Sequence, residues 1–249
     1  VKSLFIVPSA SDESLPFGAL YKINKKNNQP IEILENLYVG RSFKNNIDDF
    51  VKKIDTKKFK IKKFNNIEDA NNEISKLLAE NKILARCCEN EEWGARALGN
   101  RSIICNPSDT NNIKHINSAV KHRDYWMPFS PSILDNYADK YFFNPKKVNT
   151  KFMTCLFDST EIAKSHLRAA IHPIDYTMRP QVVYTDTNPG YYDLINKFKN
   201  LTGIGGLLNT SFNLHGEPNV SDYSDAIHTL SNSKLKYLQL EHYLIEKIT

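Results

Sequence analysis

The stretch GGLLNTSFNLHGEP, Gly205 to Pro218, begins as an apolar strand and runs into Asn209, Thr210, Ser211 and Asn213. Hydroxyls and amides at the end of a strand are where open α/β sheets present groups to a ligand, and the same residues also serve as turn-forming caps. Patterns on either side supply the rest of such a sheet. Ile67, Ala70, Ile74, Leu77 and Leu78 fall at helical spacing through Glu80, and Lys82 to Cys88 reads as a buried strand. Further strands are expected at Phe59 and Ile61, Arg101 to Cys105, Phe152 to Phe157, Gln181 to Tyr184 and Tyr237 to Leu240, with another at Leu4 to Val7. Helices are expected on Ile113, Ile116 and Val120 behind a cap at Asp109 or Thr110, from Tyr191 to Leu201, and from Tyr223 to Leu230. Strand and helix alternate, which predicts an α/β fold with a mixed sheet covered by helices.

The 249 residues, 41% hydrophobic and 24% charged, suffice for one large domain or a domain with a small appendage. A linker rich in Lys and Asn, Asn24 to Pro30, places a domain boundary near residue 30. The net charge of +5 suits small anionic ligands and does not require nucleic acid. Four cysteines, with Cys87 and Cys88 adjacent and Cys105 and Cys155 far away, match neither zinc-ligand spacing nor a disulfide framework and read as reduced thiols. Without a bilayer-length apolar run or signal-peptide pattern, the expected location is cytoplasmic, with no membrane partner. The chain opens on Val1, consistent with a trimmed or partial polypeptide.

Three further clusters carry candidate chemistry. In VKHRDYWMPFSP, Val120 to Pro131, Lys121 and Arg123 are two apart, so on a strand both would leave one face and converge, as a phosphate needs. On a helix end they would instead complement the C-terminal dipole. In GARALGNRS, Gly94 to Ser102, Arg96 and Arg101 flank small residues that allow close backbone approach, although the spacing matches neither a P-loop nor a dinucleotide fingerprint. In HPIDYTMRPQ, His172 to Gln181, Arg179 is restrained by Pro180.

Taken together, GARALGNRSI, VKHRDYWMPFSPSIL, AAIHP, TMRPQVV, NPGYYDLI and GGLLNTSFNLHGEPNV resemble the NodU-type carbamoyltransferases over nearly the whole chain. The resemblance implies a YrdC-like twisted mixed sheet for residues 31–249, and for residues 1–30 the terminal segment and linker of a preceding actin-like ATPase-type domain. It implies that ATP and carbamoyl phosphate become carbamoyl-adenylate, whose carbamoyl group the preceding domain passes to a hydroxyl. Lys121 and Arg123 would then grip phosphates. Arg96, Arg101, Ser130, Arg179, Asn209, Thr210, Ser211 and Asn213 would hold nucleotide or carbamoyl groups. Mg2+ is expected with ATP, and a transition metal such as iron only in a complete enzyme, where Asp12 matches the last metal ligand. The family's H-x-x-x-H pair has no counterpart among the seven histidines here, and one carboxylate cannot hold such a metal alone. A second departure is Cys88-Glu89-Asn90-Glu91-Glu92-Trp93-Gly94, where the family reads Q-G-R-x-E-[FW]-G and supplies a cation in place of Asn90.

Two other readings compete. VKKIDTKKFKIKKF, Val51 to Phe64, holds seven lysines, so a non-catalytic nucleotide- or RNA-binding module is conceivable, although such a run more often solvates a sheet edge. A threonylcarbamoyl-adenylate synthase would share the adenylate chemistry, and NTSFNLHGEP and GARALGNRS favour the carbamoyltransferases over it.

Overall fold

The computed structural model describes residues 6–9, 11–121 and 127–248. Helices are α1 (Leu15–Lys26), α2 (Ile47–Val51), α3 (Ile67–Ala79), α4 (Asn111–Ile116), α5 (Ala138–Tyr141), α6 (Glu161–His166), α7 (Pro189–Thr202) and α8 (Tyr223–Ser231). Strands are β1 (Phe59–Lys63), β2 (Leu84–Cys87), β3 (Arg101–Cys105), β4 (Ser130–Leu134), β5 (Phe157–Asp158), β6 (Thr177–Met178), β7 (Gln181–Val183), β8 (Gly206–Ser211), β9 (Tyr237–Leu240) and β10 (Tyr243–Lys247). Eight strands form one sheet in the order β1-β10-β9-β2-β3-β8-β4-β7, with β5 and β6 paired separately. The pairs β2–β9 and β4–β7 are parallel and the other pairs of the large sheet antiparallel, so the sheet is mixed as expected.

Alternation along the strands separates two cores. Leu84, Ile104, Leu207 and Leu244 pack with Ala70, Ile74 and Leu78 of α3 and with Leu194, Ile195 and Phe198 of α7. Ala85, Cys87, Ile103, Phe212 and Leu238 face the opposite way, against Ile47 and Val51 of α2 and Ala226 and Leu230 of α8. Each fully buried side chain of the Leu or Phe type contributes about 1.5–3 kcal/mol. Local signals fix the helix starts. Asn66 accepts the Asp69 N–H at the start of α3, Asn188 precedes Pro189 and accepts from Tyr191, and Asp222 forms a capping box with Asp225.

Four expectations change. Lys121 lies in no strand: the helix carrying Ile113 and Ile116 runs on through a π-helical stretch, Asn117–Lys121, and the next strand among the described residues starts at Ser130. Phe152 to Phe157 is not one strand, because Phe152 and Met153 are buried in a loop against Leu37 and Leu98, leaving only Phe157–Asp158 to pair with β6. Leu4 and Phe5 lie outside the described residues, and Ile6 and Val7 are in no strand. Helix α1 continues to Lys26, into the stretch expected as linker, and none of its residues is buried.

Candidate functional site

The site forms where β8 ends beneath the loop joining β2 to β3. That loop is held down by side chains on the face of the sheet that packs α3 and α7. Asn209 donates its amide nitrogen to Ala97 O at 3.1 Å and to Ser132 Oγ at 3.0 Å. Gln181 Nε2 donates to Leu98 O at 2.7 Å, and the Tyr38 hydroxyl donates to the same carbonyl at 2.8 Å. Ser132 Oγ donates to Gln181 Oε1 at 2.7 Å, which fixes the orientation of that amide. Within the loop, Gly94 (φ +102°) and Gly99 (φ +114°) adopt backbone angles that side chains disfavour, and they bracket Ala95, Arg96, Ala97 and Leu98. A Cβ on Gly99 would lie 2.2 Å from Cδ1 of the buried Tyr191 ring, so the loop can seat this low only with glycine there.

Arg96 and its neighbouring alanines form one wall of a pocket of about 100 Å3. Pro128, Phe129 and Ser130 form another, Met153 and Arg179 a third, and Asn209, Thr210 and Ser211 line it from the end of β8. Arg179 Nη2 donates to Ser130 Oγ at 3.4 Å. Asn209 is buried, and its Oδ1 has neither solvent nor a hydrogen-bond partner among the described residues. Lys121 sits behind this wall, also buried, donating to Ser211 Oγ at 3.0 Å, to Asn213 Oδ1 at 2.5 Å and to Asn213 O at 3.3 Å. Ser211 Oγ donates to Asn213 Oδ1 at 2.7 Å, completing a Lys121–Ser211–Asn213 cluster. Arg96 and Arg179 stand beside polar strand-end groups, the kind of side chains that a small anion would need.

Four segments far apart in sequence therefore meet. Arg96, Ser130, Arg179, Asn209, Thr210 and Ser211 line one pocket, while Lys121 and Asn213 stand one hydrogen bond behind Ser211. Arg123 lies outside the described residues. Arg101 is elsewhere: its guanidinium donates to the carbonyls of Cys88, Ser221, Asn100 and Glu89 at 2.7, 2.8, 3.1 and 3.3 Å, so it braces the loop from beneath. Asp12 begins an exposed turn, and no group of three His, Cys, Asp or Glu among the described residues could hold a metal. The transition metal that the resemblance implies for a complete enzyme would therefore need ligands beyond the described residues. Burial pushes the Cys87 thiol up to about 12 and the Cys88 and Cys105 thiols upward as well, so none of these three supplies a thiolate at neutral pH. The lysine-rich run is partly neutralised, with Lys62 at 3.3 Å from Glu73 and Lys63 at 3.0 Å from Asp48.

Sequence reasoning missed Glu92 and Gln181. Glu92 Oε1 accepts the backbone N–H groups of Leu98, Asn100 and Arg101 at 2.7, 2.7 and 3.2 Å. The signal was an acidic residue just before a short loop with glycine at each end, whose backbone donors need an acceptor.

Fold and pocket define a mixed α/β domain with a small pocket lined by two arginines and the polar end of β8. The family model for the carbamoyltransferase C-terminus matches residues 75–247, and the chain belongs to that family. An uncharacterized protein of Methanocaldococcus jannaschii is 35% identical, over 99% of this chain and 47% of its own length. The nodulation protein NolO of Bradyrhizobium diazoefficiens is 32% identical over 98% of this chain and 44% of its own length. The chain thus spans about half the length of these relatives. Among solved structures, full-length HypF in its phosphate- and nucleotide-bound form overlaps with a TM-score of 0.49 at 17% identity, covering 76% of this chain and 22% of that one. The YciO structure from E. coli also overlaps at 0.49, with 15% identity, covering 68% of this chain and 76% of that one.

Proposed function

We propose that this chain is the adenylate-forming part of an O-carbamoyltransferase, with ATP and carbamoyl phosphate as substrates. The observation that carries the reading is the convergence of Arg96, Arg179, Ser130 and the Asn209–Ser211 strand end on one small pocket, with Lys121 directly behind it. In the proposed reaction, water takes the phosphoryl group from carbamoyl phosphate, releasing phosphate and carbamate. A carbamate oxygen then attacks the α-phosphorus of ATP, and pyrophosphate leaves with its electron pair. Arg96 and Arg179 neutralise the phosphates, and Lys121 fixes Ser211 and Asn213 at the pocket edge, so that positioning and charge stabilisation supply the catalysis. A Mg2+ ion bound to the nucleotide phosphates would add charge neutralisation there.

Transfer to a hydroxyl acceptor belongs in this reading to a preceding domain, of which residues 1–30 are the terminal segment. The absence of buried residues from α1 supports that assignment. Incubation with ATP and carbamoyl phosphate tests the proposal: pyrophosphate should be released and carbamoyl-adenylate detected by mass spectrometry, with no labelling of an alcohol by this chain alone. Absence of the adenylate, or acceptor labelling by residues 1–249, would refute it.

A further inference from the structure

The loop from Glu92 to Arg101 has the form of a backbone anion site that is already filled. Three N–H groups, from Leu98, Asn100 and Arg101, converge on Glu92 Oε1. Its other carboxylate oxygen is sealed from solvent with no hydrogen-bond partner among the described residues. Converging backbone amides in a glycine-bracketed loop are what phosphate-binding concavities offer to a ligand. Here a side chain of the loop takes that place. Resting on the reading of the pocket given above, we infer that Glu92 is a positioning residue: its carboxylate occupies the loop's amides and thereby sets Arg96 against the strand end.

Two consequences follow physically. A substrate phosphate cannot use the amides of Leu98, Asn100 and Arg101, so its recognition at this wall passes to the Arg96 side chain. The charge of Glu92 matters as well as its shape, because hydrogen bonds to an ionised acceptor are about twice as strong as neutral ones. An amide in its place keeps one acceptor oxygen but holds the loop less firmly, and the backbone that carries the exposed Arg96 is then less well placed against the strand end. Glu92 need not touch substrate for this.

A double-mutant cycle on the intact chain separates positioning from plain structural support. ATP and carbamoyl phosphate affinities are measured by calorimetry for wild type, Glu92→Gln, Arg96→Ala and the double variant, with melting temperatures alongside. Arg96→Ala should weaken binding by roughly ten- to a hundredfold. Glu92→Gln should weaken it by about tenfold in the parent and have no further effect in the Arg96→Ala background. Should Glu92→Gln not fold, Glu92→Asp, which keeps the charge but shortens the reach, carries the same cycle. A Glu92 variant that binds as the parent does, or that weakens binding equally in both backgrounds, would overturn the positioning role. If Arg96→Ala itself leaves binding unchanged, the reading of the pocket fails and the inference with it.

Discussion

Replacing Gly99 by alanine should damage both stability and ligand binding, because two independent obstacles meet at that residue. Its φ of +114° lies where a side chain costs about 1–2 kcal/mol, and an added Cβ would lie 2.2 Å from a ring atom of Tyr191. That ring, carried by α7, is fully buried beneath the loop, so relief requires shifting packed atoms, and overpacking of this kind costs about 1–3 kcal/mol. The sum, about 2–5 kcal/mol, is a large part of the 5–15 kcal/mol that holds an ordinary domain folded. For a chain of this size it lowers the melting temperature by roughly 4–20 °C. Gly94→Ala is the control. It also sits at positive φ, but its nearest obstacle is Ser9 Cβ at 3.3 Å, so it should lose only the backbone share. Thermal melts of both variants, with nucleotide binding measured on the folded protein, test the ranking. If Gly99→Ala melts within about 1 °C of the parent, or Gly94→Ala proves the more damaging, the close seating of the loop on Tyr191 is wrong.

Ser211→Ala should melt close to the parent yet show less stabilisation by ATP, and Lys121→Ala, which removes the donor holding Ser211 and Asn213 at the pocket edge, should bind ATP more weakly by calorimetry. A large loss of unliganded stability in Ser211→Ala would assign that hydroxyl to turn formation instead. Glu89 sits at φ +51° with its carboxylate 3.5 Å from Nη2 of the fully buried Arg86, whose Nε and Nη1 have no hydrogen-bond partner among the described residues. Glu89→Gly should therefore be net destabilising in urea melts although it relieves about 1 kcal/mol of backbone strain, because a buried cation loses its counter-ion. A stabilised variant would contradict this. The Asp48 carboxyl is held below its ordinary value by hydrogen bonds from the Tyr243 hydroxyl and Lys63. A depressed folded value stabilises above the unfolded one and is lost as pH falls through the folded one, so Asp48→Asn should melt lower than the parent at pH 7 and converge with it in strong acid. A difference that persists there would exclude the ionised carboxylate as the cause.

Much of the scaffold was legible because it rests on local rules. The apolar spacing in Ile67 to Leu78 announced α3, the helix expected from Tyr191 to Leu201 falls within α7, and the buried run expected at Lys82 to Cys88 contains β2. The polar end of β8 pointed to the pocket, and the Arg96, Ser130 and Arg179 segments proved to lie beside it. Long-range terms hid the rest. Spacing alone could not decide between strand and helix for Lys121, since Val120 is buried against the α2–α8 core and holds the segment in helical form. Arg101 looked like an anion contact because nothing local shows that four backbone carbonyls, one of them at Ser221, surround it. Phe152 and Met153 read as a strand by composition, but they fill a gap between Leu37 and Leu98 contributed by distant loops.

In the proposed reaction the pocket between Arg96, Arg179 and the end of β8 takes the phosphates of the substrates. Calorimetric titration of ATP and of carbamoyl phosphate into the wild-type chain, Arg96→Ala and Arg179→Ala tests it most directly. Each variant should melt near the parent and bind at least one of the two ligands roughly ten- to a hundredfold more weakly. Equal affinity for both ligands in all three proteins would show that the two arginines do not bind the phosphates.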